Sequence, residues 1–434
     1  MSEPYTRAAA LRFGSTALAL STIWLGTLFS ALFGFVANLA LSHALSVPQF
    51  GALTSALTTV ALAGTLGGYG VGEFWLRKFG LEGSAGQRWI MPSLHLIELT
   101  TAVTIGLFAV IAPMAFSDHL NVQLIYILFP LAISQIVLDL AQTRFQLEDN
   151  HTSVAAVQAA PNLMRMVVAA FALLFTLDSV QTAASLSLVA AMTTLGVGFG
   201  LVRASKTGFR LPTYRVRPAE PFTLRPTARD VVVNAFPFAL STVSYPLYFQ
   251  GGLLTLSIIG TNHSTGVFSV AFLVLTAIYL LPAVTYQKYL TGRMHWWAEH
   301  DRPMFARVHR IATLALAGSG ALLALATWLL SQTIIDHLFA DAFADAGPVL
   351  ATLAFAIPFR FVSSAMGGTL LTGDHVRLRV MQEVLATAIT IGTTAVLFPR
   401  YGVQGVAIAS VVSEMYLCVV YTLTAARITQ LIAP

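Results

Sequence analysis

Five ionisable side chains lie inside long apolar stretches of this sequence, where a charge is costly. Two are arginines, Arg165 and Arg360, and three are acids: Glu98 and Glu414 lie well inside their stretches, whereas Asp139 lies close to the inner end of its stretch, where water can reach it. A charged side chain at the centre of a lipid bilayer costs about 2.5–3.5 kcal/mol on the helix-insertion scale, so it requires a partner or a water-filled cavity. These five residues are therefore the first candidates for chemistry.

The two arginines allow two interpretations. In the first they connect helices, with Arg165 paired to Asp139 or Glu98 and Arg360 paired to Glu414. In the second both face a central aqueous cavity and bind an anion. A guanidinium group matches a phosphate group with two parallel hydrogen bonds, and it keeps its proton. The sequence leaves both interpretations open.

The acids and several amide side chains have further candidate roles. Glu98, Glu414 and Asp139 are candidates for proton or sodium coupling, since burial favours the neutral form of a carboxyl group and lets it exchange protons with a cavity. Structural pairing explains these acids equally well. Some amides could bind sugar hydroxyls, or instead form hydrogen bonds between helices. They are Asn38, Gln135, Gln158, Asn162, Asn234 and Gln250.

Motifs for enzyme chemistry are absent from the sequence. It has no GxxxxGK[ST] phosphate-binding loop, which disfavours ATP hydrolysis by this chain. It also lacks the nucleophile-elbow and zinc-protease signatures. His43, His95 and His151 do not have the spacing of metal ligands. We therefore expect a protein that is not an enzyme, without a cofactor or a metal site.

The chain contains twelve apolar runs of membrane-spanning length, and the five ionisable residues named above lie within them. The chain has 434 residues, of which 56% are hydrophobic and 10% charged, too apolar a composition for a water-soluble domain. Because the runs are continuously apolar, without a period of two, they predict α-helices and not a β-barrel. The predicted spans are 16–42, 50–74, 90–112, 123–143, 153–177, 183–202, 231–259, 266–288, 311–335, 348–371, 381–398 and 404–426.

The basic residues are distributed unevenly between the loops. The chain has 24 lysines and arginines; apart from Arg165, Arg360 and Arg400, the other 21 lie in segments that share one side of the membrane. Cytoplasmic loops carry such an excess of positive charge. We therefore expect a multi-pass protein of the bacterial cytoplasmic membrane with both termini in the cytoplasm. The net charge of +5 then reflects topology and does not indicate a nucleic-acid partner.

The longest connection divides the chain into two halves. Residues 203–230 include seven basic residues and four prolines, a composition typical of an extended linker. Residues 1–202 and residues 231–434 each contain six predicted spans. An even number of spans allows the halves to be parallel repeats. We therefore expect an all-α polytopic membrane protein, with twelve transmembrane helices in two six-helix lobes around a central cavity.

The last spans carry a motif that resembles a known family. Residues 373–421 begin with a Gly-Asp turn, continue to Pro-Arg-Tyr-Gly at 399–402, and then present small residues from Gly405 onward. This pattern is similar to that of the Wzx-type polysaccharide flippases of the multidrug/oligosaccharidyl-lipid/polysaccharide (MOP) exporter superfamily. Residues 39–80 resemble the first outer turn and second helix of that family. Residues 260–280 resemble the start of its eighth helix.

The resemblance implies a secondary transporter with a basic lumen. Its cargo would be an isoprenoid-pyrophosphate-linked oligosaccharide, moved across the cytoplasmic membrane by alternating access for surface polysaccharide synthesis. Its partners would be membrane lipid, this cargo and polysaccharide synthesis enzymes. Arg165 and Arg360 are assigned to the pyrophosphate because of their depth in the spans. No motif of the family covers either residue. The alternatives are a cation-coupled multidrug exporter of the same superfamily and a membrane-embedded polysaccharide polymerase, which the short outer loops disfavour.

Overall fold

The computed structural model describes residues 3–212, 226–282, 302–369 and 376–432. All regular secondary structure in these ranges is helical. Helices of the first half are α1 (Glu3–Ala44), α2 (Val47–Gly68), α3 (Val71–Glu82), α4 (Ile90–Ala115), α5 (His119–Leu147), α6 (His151–Phe175) and α7 (Ser179–Thr207). Those of the second half are α8 (Ala228–Ile259), α9 (Asn262–Pro282), α10 (Arg302–Leu338), α11 (Ala346–Ala354), α12 (Ala356–Thr369), α13 (Val376–Tyr401) and α14 (Val403–Ile432).

The helices confirm the prediction of an all-α membrane protein. Within the described ranges, ten helical stretches are long and apolar enough to cross a bilayer, or eleven if α11 and α12 form one bent span. One of them, Val47–Ala115, is a stretch of 69 residues that contains the second and third predicted spans. Each predicted span thus has a helical counterpart. Parts of two predicted spans and of the predicted linker lie outside the described ranges. They are residues 283–288 and 370–371 of the spans and residues 213–225 of the linker.

The second predicted span ends earlier than its hydropathy suggests. α2 stops at Gly68, and Tyr69 and Gly70 take left-handed backbone conformations with φ of 51° and 64°. A Cβ atom on Gly70 would lie 2.6 Å from the backbone nitrogen of Ala239 in α8. Glycine therefore satisfies two requirements here, a positive φ and close approach of a second backbone. The chain turns at this point into the short helix α3.

The tenth predicted span is bent. α11 and α12 meet at an angle of 44° around Phe355. Pro358 follows in the first turn of α12, where the absence of an amide proton removes no helical hydrogen bond. Arg360 lies just beyond the bend, so the change of direction helps to set where its side chain points.

Helices pack mainly within each half of the chain. In the first half α1 lies along α6, and α5 packs against α2 and α7. In the second half α8 packs against α13, and α12 against α10 and α14. The halves meet where α2 contacts α9 and α8, and where α3 and α4 contact α8.

The two halves approach each other closely at the α2–α9 contact, which is formed by Val47 and Gly51 of α2 with Asn262 and Gly266 of α9. Each glycine is the fifth residue of its helix and packs against the first residue of the other helix. A Cβ atom on Gly51 would lie 1.9 Å from the carbonyl oxygen of Asn262, and one on Gly266 would lie 2.3 Å from that of Val47. Only glycine allows the backbones to approach so closely.

Side chains from both halves surround the α2–α9 contact. The rings of Phe50 and Phe343 meet edge to face with their centres 5.6 Å apart. The amide of Asn262 donates a hydrogen bond of 2.6 Å to the Asp118 carboxylate. At the opposite end of the bundle the guanidinium carbon of Arg77 lies 5.7 Å from the centre of the Phe238 ring in α8. The halves therefore touch at both ends and enclose space between them.

Candidate functional site

A cavity of about 390 Å³, the first-half cavity, lies between α2, α5, α6 and α7. Its lining combines apolar side chains with amides, hydroxyls and two charged groups. The polar lining residues are Ser134, Gln135, Asp139, Gln142, Gln158, Asn162, Arg165 and Thr193. Five of the residues singled out from the sequence thus meet in one place. Gln142 was missed because it lies near the end of a predicted span.

Arg165 reaches this cavity without an acidic partner among the described residues. Its Nη2 atom donates a hydrogen bond of 2.9 Å to Oδ1 of Asn38. Its Nε atom is buried and has no hydrogen-bond partner among the described residues. Neither Asp139 nor Glu98 forms an ion pair with it. A buried donor without an acceptor costs about 1–3 kcal/mol, more for a charged group, so this guanidinium group has unused capacity to bind an anion.

The packing of α1 on α6 holds the polar side chains beside Arg165. Nε2 of Gln158 donates to the hydroxyl of Thr27 at 3.0 Å, and Nδ2 of Asn162 donates to the hydroxyl of Ser30 at 2.9 Å. Asn38 donates to the Gly34 carbonyl within its own helix, at 2.8 Å, which orients its oxygen toward Arg165. The amide nitrogens of Gln158 and Asn162 thus form interhelical bonds. The Oε1 atom of Gln158 is buried and has no partner among the described residues.

A second space, the inter-half cavity, adjoins the first. It measures about 460 Å³ and is lined by α2, α3 and α5 of the first half and by Thr242 and Pro246 of α8. Gln135, Asp139 and Gln142 line both cavities. Glu73 of α3 also lines this space, and within the described part of the chain neither Glu73 nor Asp139 forms an ion pair. The first-half cavity therefore continues toward the second half along an acidic wall.

Arg360 has a different environment from Arg165. Its Nη1 atom lies 3.5 Å from Oε1 of Glu414, and its Nη2 atom donates a hydrogen bond to the hydroxyl of Tyr245. The guanidinium carbon lies 5.4 Å from the ring centre of Tyr245 and 5.3 Å from those of Phe249 and Tyr279. Aromatic faces attract cations at such distances. A carboxylate and three rings therefore compensate the charge of Arg360.

The second-half cavity, of about 380 Å³, opens beside Arg360. It is lined by residues of α8, α9, α12, α13 and α14, including Arg379 and Glu383. Nε of Arg379 lies 2.9 Å from Oε1 of Glu383, and the hydroxyl of Tyr421 donates to the same oxygen at 3.2 Å. Sequence reasoning missed Arg379 because a basic residue near a span end was assigned to a loop. Its spacing of four residues from Glu383 was the available signal, since such pairs face each other on a helix.

Three residues singled out from the sequence lie away from these cavities. Glu98 is exposed on α4 and forms no ion pair with the described residues. Asn234 is exposed near the start of α8 and donates to the carbonyl of Asp230 at 2.7 Å. Gln250 is half-buried in α8. None of the three lines the first-half, inter-half or second-half cavity.

The two halves thus differ in electrostatics. In the first half Arg165 lines a cavity, and its Nε atom has no hydrogen-bond partner among the described residues, whereas each arginine of the second-half cavity contacts a carboxylate. In the described ranges no group of three histidine, cysteine or acidic side chains could hold a metal ion. The arrangement supports binding of an anionic ligand in the first half.

The chain resembles known proteins in fold and not in sequence. No family model matches it, and no curated protein matches it. The lipid II flippase MurJ in an inward closed conformation has a TM-score of 0.71 and 12% identity to this chain, over 93% of this chain and 87% of that one. An inward-facing multidrug resistance MATE family transporter of the MOP superfamily has a TM-score of 0.67 and 15% identity, over 96% and 98%. The eukaryotic MATE transporter AtDTX14 has a TM-score of 0.64 and 12% identity, over 97% and 100%.

These alignments span nearly the whole of each chain, so the agreement concerns the complete helical architecture. It confirms the fold that the resemblance of residues 39–80, 260–280 and 373–421 implied. The protein is a multi-pass membrane protein with the fold of the multidrug/oligosaccharidyl-lipid/polysaccharide exporter superfamily.

Proposed function

We propose that this protein is a flippase that moves an isoprenoid-pyrophosphate-linked oligosaccharide across the bacterial cytoplasmic membrane for surface polysaccharide synthesis. The proposal depends on one observation about Arg165, a cation on a cavity wall. Its buried Nε atom donates a hydrogen bond to none of the described residues. Pyrophosphate oxygens are the acceptors that a guanidinium group fits best. One protein of this fold is itself named a lipid II flippase.

The physical need for such a site follows from the cargo. A pyrophosphate carries charges that hydrocarbon does not solvate, and moving ions into a low-dielectric medium is prohibitive unless opposite charge compensates them. Arg165 supplies that charge on the wall of a cavity that amide and hydroxyl side chains also line. The isoprenoid tail requires no such site because the bilayer solvates it, and we propose that it stays in the lipid during transport.

Alternating access of two lobes is the proposed mechanism. The lobes are residues 1–202 and 231–434, with residues 203–230 as the cytoplasmic linker and both termini in the cytoplasm. The described state would be an occluded one, since the halves contact each other at the α2–α9 contact and again at Arg77 and Phe238. Movement of the halves would open the enclosed space to one side and then to the other. We also propose that polysaccharide synthesis enzymes deliver and receive the cargo.

We propose that an acidic side chain couples transport to an ion gradient. The three candidates, Glu98, Asp139 and Glu414, differ in how well their surroundings fit this role. Asp139 lines two cavities without an ion pair among the described residues, so it can gain or lose a proton from the lumen. Glu414 contacts Arg360, so its proton uptake would weaken that contact. Glu98 lies outside these cavities. Asp139 is therefore the strongest of the three candidates.

A cation-coupled multidrug exporter is the second candidate function. Glu73 and Asp139 line the inter-half cavity without ion pairs among the described residues, and carboxylates suit organic cations. MATE transporters share the fold. The polymerase alternative has less support, since the three similar structures reported above bear the names of a flippase and of transporters.

Deletion of the gene followed by analysis of lipid extracts tests the proposal. We expect lipid-linked glycan to accumulate and surface polysaccharide to be lost, and we expect the wild-type gene to restore both. The Arg165→Gln variant should fail to restore them although it inserts normally. Arg144→Gln is the matched control, because Arg144 pairs with Glu148 away from the cavities, and it should restore both. Normal glycans combined with altered drug tolerance would instead identify the exporter.

A further inference from the structure

The second-half cavity differs from the first-half cavity in what its lining could recognise. It is lined by two arginines, and both contact carboxylates: Arg360 lies 3.5 Å from Glu414 and Arg379 lies 2.9 Å from Glu383. An anion that entered would have to displace a carboxylate from one of these pairs. The lining therefore disfavours a phosphate group and favours a ligand without charge.

The hydroxyl groups of this cavity have lone pairs to offer. Ser363 and Ser364 donate their protons to the carbonyl of Arg360, at 3.1 and 2.7 Å, and Thr276 donates to the carbonyl of Phe272 at 2.7 Å. Each hydroxyl oxygen retains acceptor capacity after that donation. An ionised phosphate group can only accept hydrogen bonds, so it cannot donate one to these hydroxyl oxygens. A polyhydroxylated ligand has O–H groups that can.

One tyrosine of the lining carries a donor without a partner among the described residues. The hydroxyl of Tyr279 is buried and has no hydrogen-bond partner within the described part of the chain, although Tyr279 lines the cavity. The exposed edge of the lining is Tyr245, a residue that is 38% accessible. Aromatic faces carry partial negative charge, which attracts the C–H face of a sugar ring. Acceptors, an unused donor and aromatic surface together are the complement of a saccharide.

We propose that the second-half cavity is a saccharide subsite, which takes an uncharged sugar unit of the cargo while Arg165 of the first half holds the pyrophosphate. The inference rests on the proposed function, because it divides one cargo between the two halves. The volume of about 380 Å³ falls in the range of roughly 300–1,000 Å³ typical of small-molecule sites. Tyr279, Ser363 and Ser364 are the residues that contact the sugar.

Two probes test this division. The first is an isoprenyl pyrophosphate without sugar, and the second is the same lipid carrying a neutral oligosaccharide. Binding of each to the purified full-length chain in lipid nanodiscs is measured for the wild type, for Tyr279→Phe, and for Tyr279→Phe combined with Ser363→Ala and Ser364→Ala. Tyr126→Phe is the matched control, since the Tyr126 hydroxyl bonds to the Ala109 carbonyl outside these cavities.

The triple variant should weaken binding of the sugar-bearing probe about 5- to 20-fold, and Tyr279→Phe should weaken it about 2- to 5-fold. Neither should change binding of the sugarless probe. Tyr126→Phe should change neither probe, and Arg165→Gln should weaken both about tenfold or more. If the triple variant weakens both probes equally, or neither, the saccharide subsite is refuted while the flippase stands. If the wild type binds neither probe, the proposed function itself fails. Tyr279→Phe, which only removes one oxygen, decides the matter if the triple variant does not fold.

Discussion

Alanine at Gly51 should open the α2–α9 contact. Its Cβ atom would lie 1.9 Å from the carbonyl oxygen of Asn262 and 2.6 Å from the backbone nitrogen of Gly266. Real Cβ contacts essentially never fall below 3.0 Å, so the backbones must separate by at least 1.1 Å, the difference between 3.0 and 1.9 Å. No rotamer can relieve the overlap, because the atoms that collide with the methyl group belong to the backbone.

The cost of the methyl group applies to one conformation only. Overpacking a close contact costs about 1–3 kcal/mol, and this cost disappears once α2 and α9 move apart. If the contact closes and opens during transport, the alanine therefore shifts the equilibrium toward the open form by about 5- to 150-fold. Gly266→Ala should act in the same direction, since its Cβ would lie 2.3 Å from the carbonyl oxygen of Val47.

Thiol labelling measures the shift. Cys418 is first replaced by serine, and a single cysteine is placed at Leu57, which lines the first-half cavity six residues beyond Gly51, about 9 Å along α2. A membrane-impermeant thiol reagent is added from the side where α2 begins. We expect Gly51→Ala to raise the labelling rate about 5- to 150-fold. Gly68→Ala is the matched control in the same helix, because its Cβ would meet nothing closer than 3.8 Å.

Two results would refute this reasoning in different ways. Unchanged labelling together with a lower unfolding temperature would mean that the α2–α9 contact is permanent and that the bundle does not open there. Unchanged labelling and unchanged stability would mean that the two glycines do not approach the opposite backbone as closely as described. An increase for Gly68→Ala equal to that for Gly51→Ala would show that helix propensity, and not the contact, controls access.

Two further substitutions concern the arginines. Asn38→Asp should place a carboxylate beside Nη2 of Arg165, which lies 2.9 Å from Oδ1 of Asn38. The carboxylate should lower the affinity for an isoprenyl pyrophosphate about tenfold without loss of stability. Asn38→Ser, which adds no charge, is the control, and equal affinities for the two variants would contradict the prediction. Glu414→Ala should destabilise the fold by about 3 kcal/mol, because it leaves the Arg360 side chain, which is 12% exposed, without its carboxylate. In a denaturant titration the double variant Arg360→Met with Glu414→Leu should be more stable than Glu414→Ala. The reverse order would contradict this account.

The helices were predictable because lipid imposes a length and a composition on every span. Hydropathy located a counterpart for all twelve predicted spans among the described residues. It could not locate the turn at Tyr69 and Gly70, since that turn depends on the backbone of α8 approaching Gly70. Hydropathy likewise did not locate the bend at Phe355, because the two helices on either side of it pass together as one apolar run.

The site was predictable only in part, for a related reason. Depth in a span identified Arg165 and Arg360, but the partner of each depends on which helix lies beside it. Asn38 is 127 residues from Arg165 in sequence, and Glu414 is 54 residues from Arg360. Arg379 was missed because its distance from the predicted span end gave no indication that it faces a cavity.

The difference between the two arginines follows from the helices that contact them. α1 offers Arg165 an amide oxygen, which accepts a hydrogen bond and leaves the charge intact. α14 offers Arg360 a carboxylate, and α8 and α9 add aromatic rings. A free cation attracts an anion from the lumen, whereas a compensated one leaves its cavity open to neutral polar groups. Two arginines at similar depth can therefore serve opposite ends of one amphiphilic cargo, which is why their partners matter more than their positions.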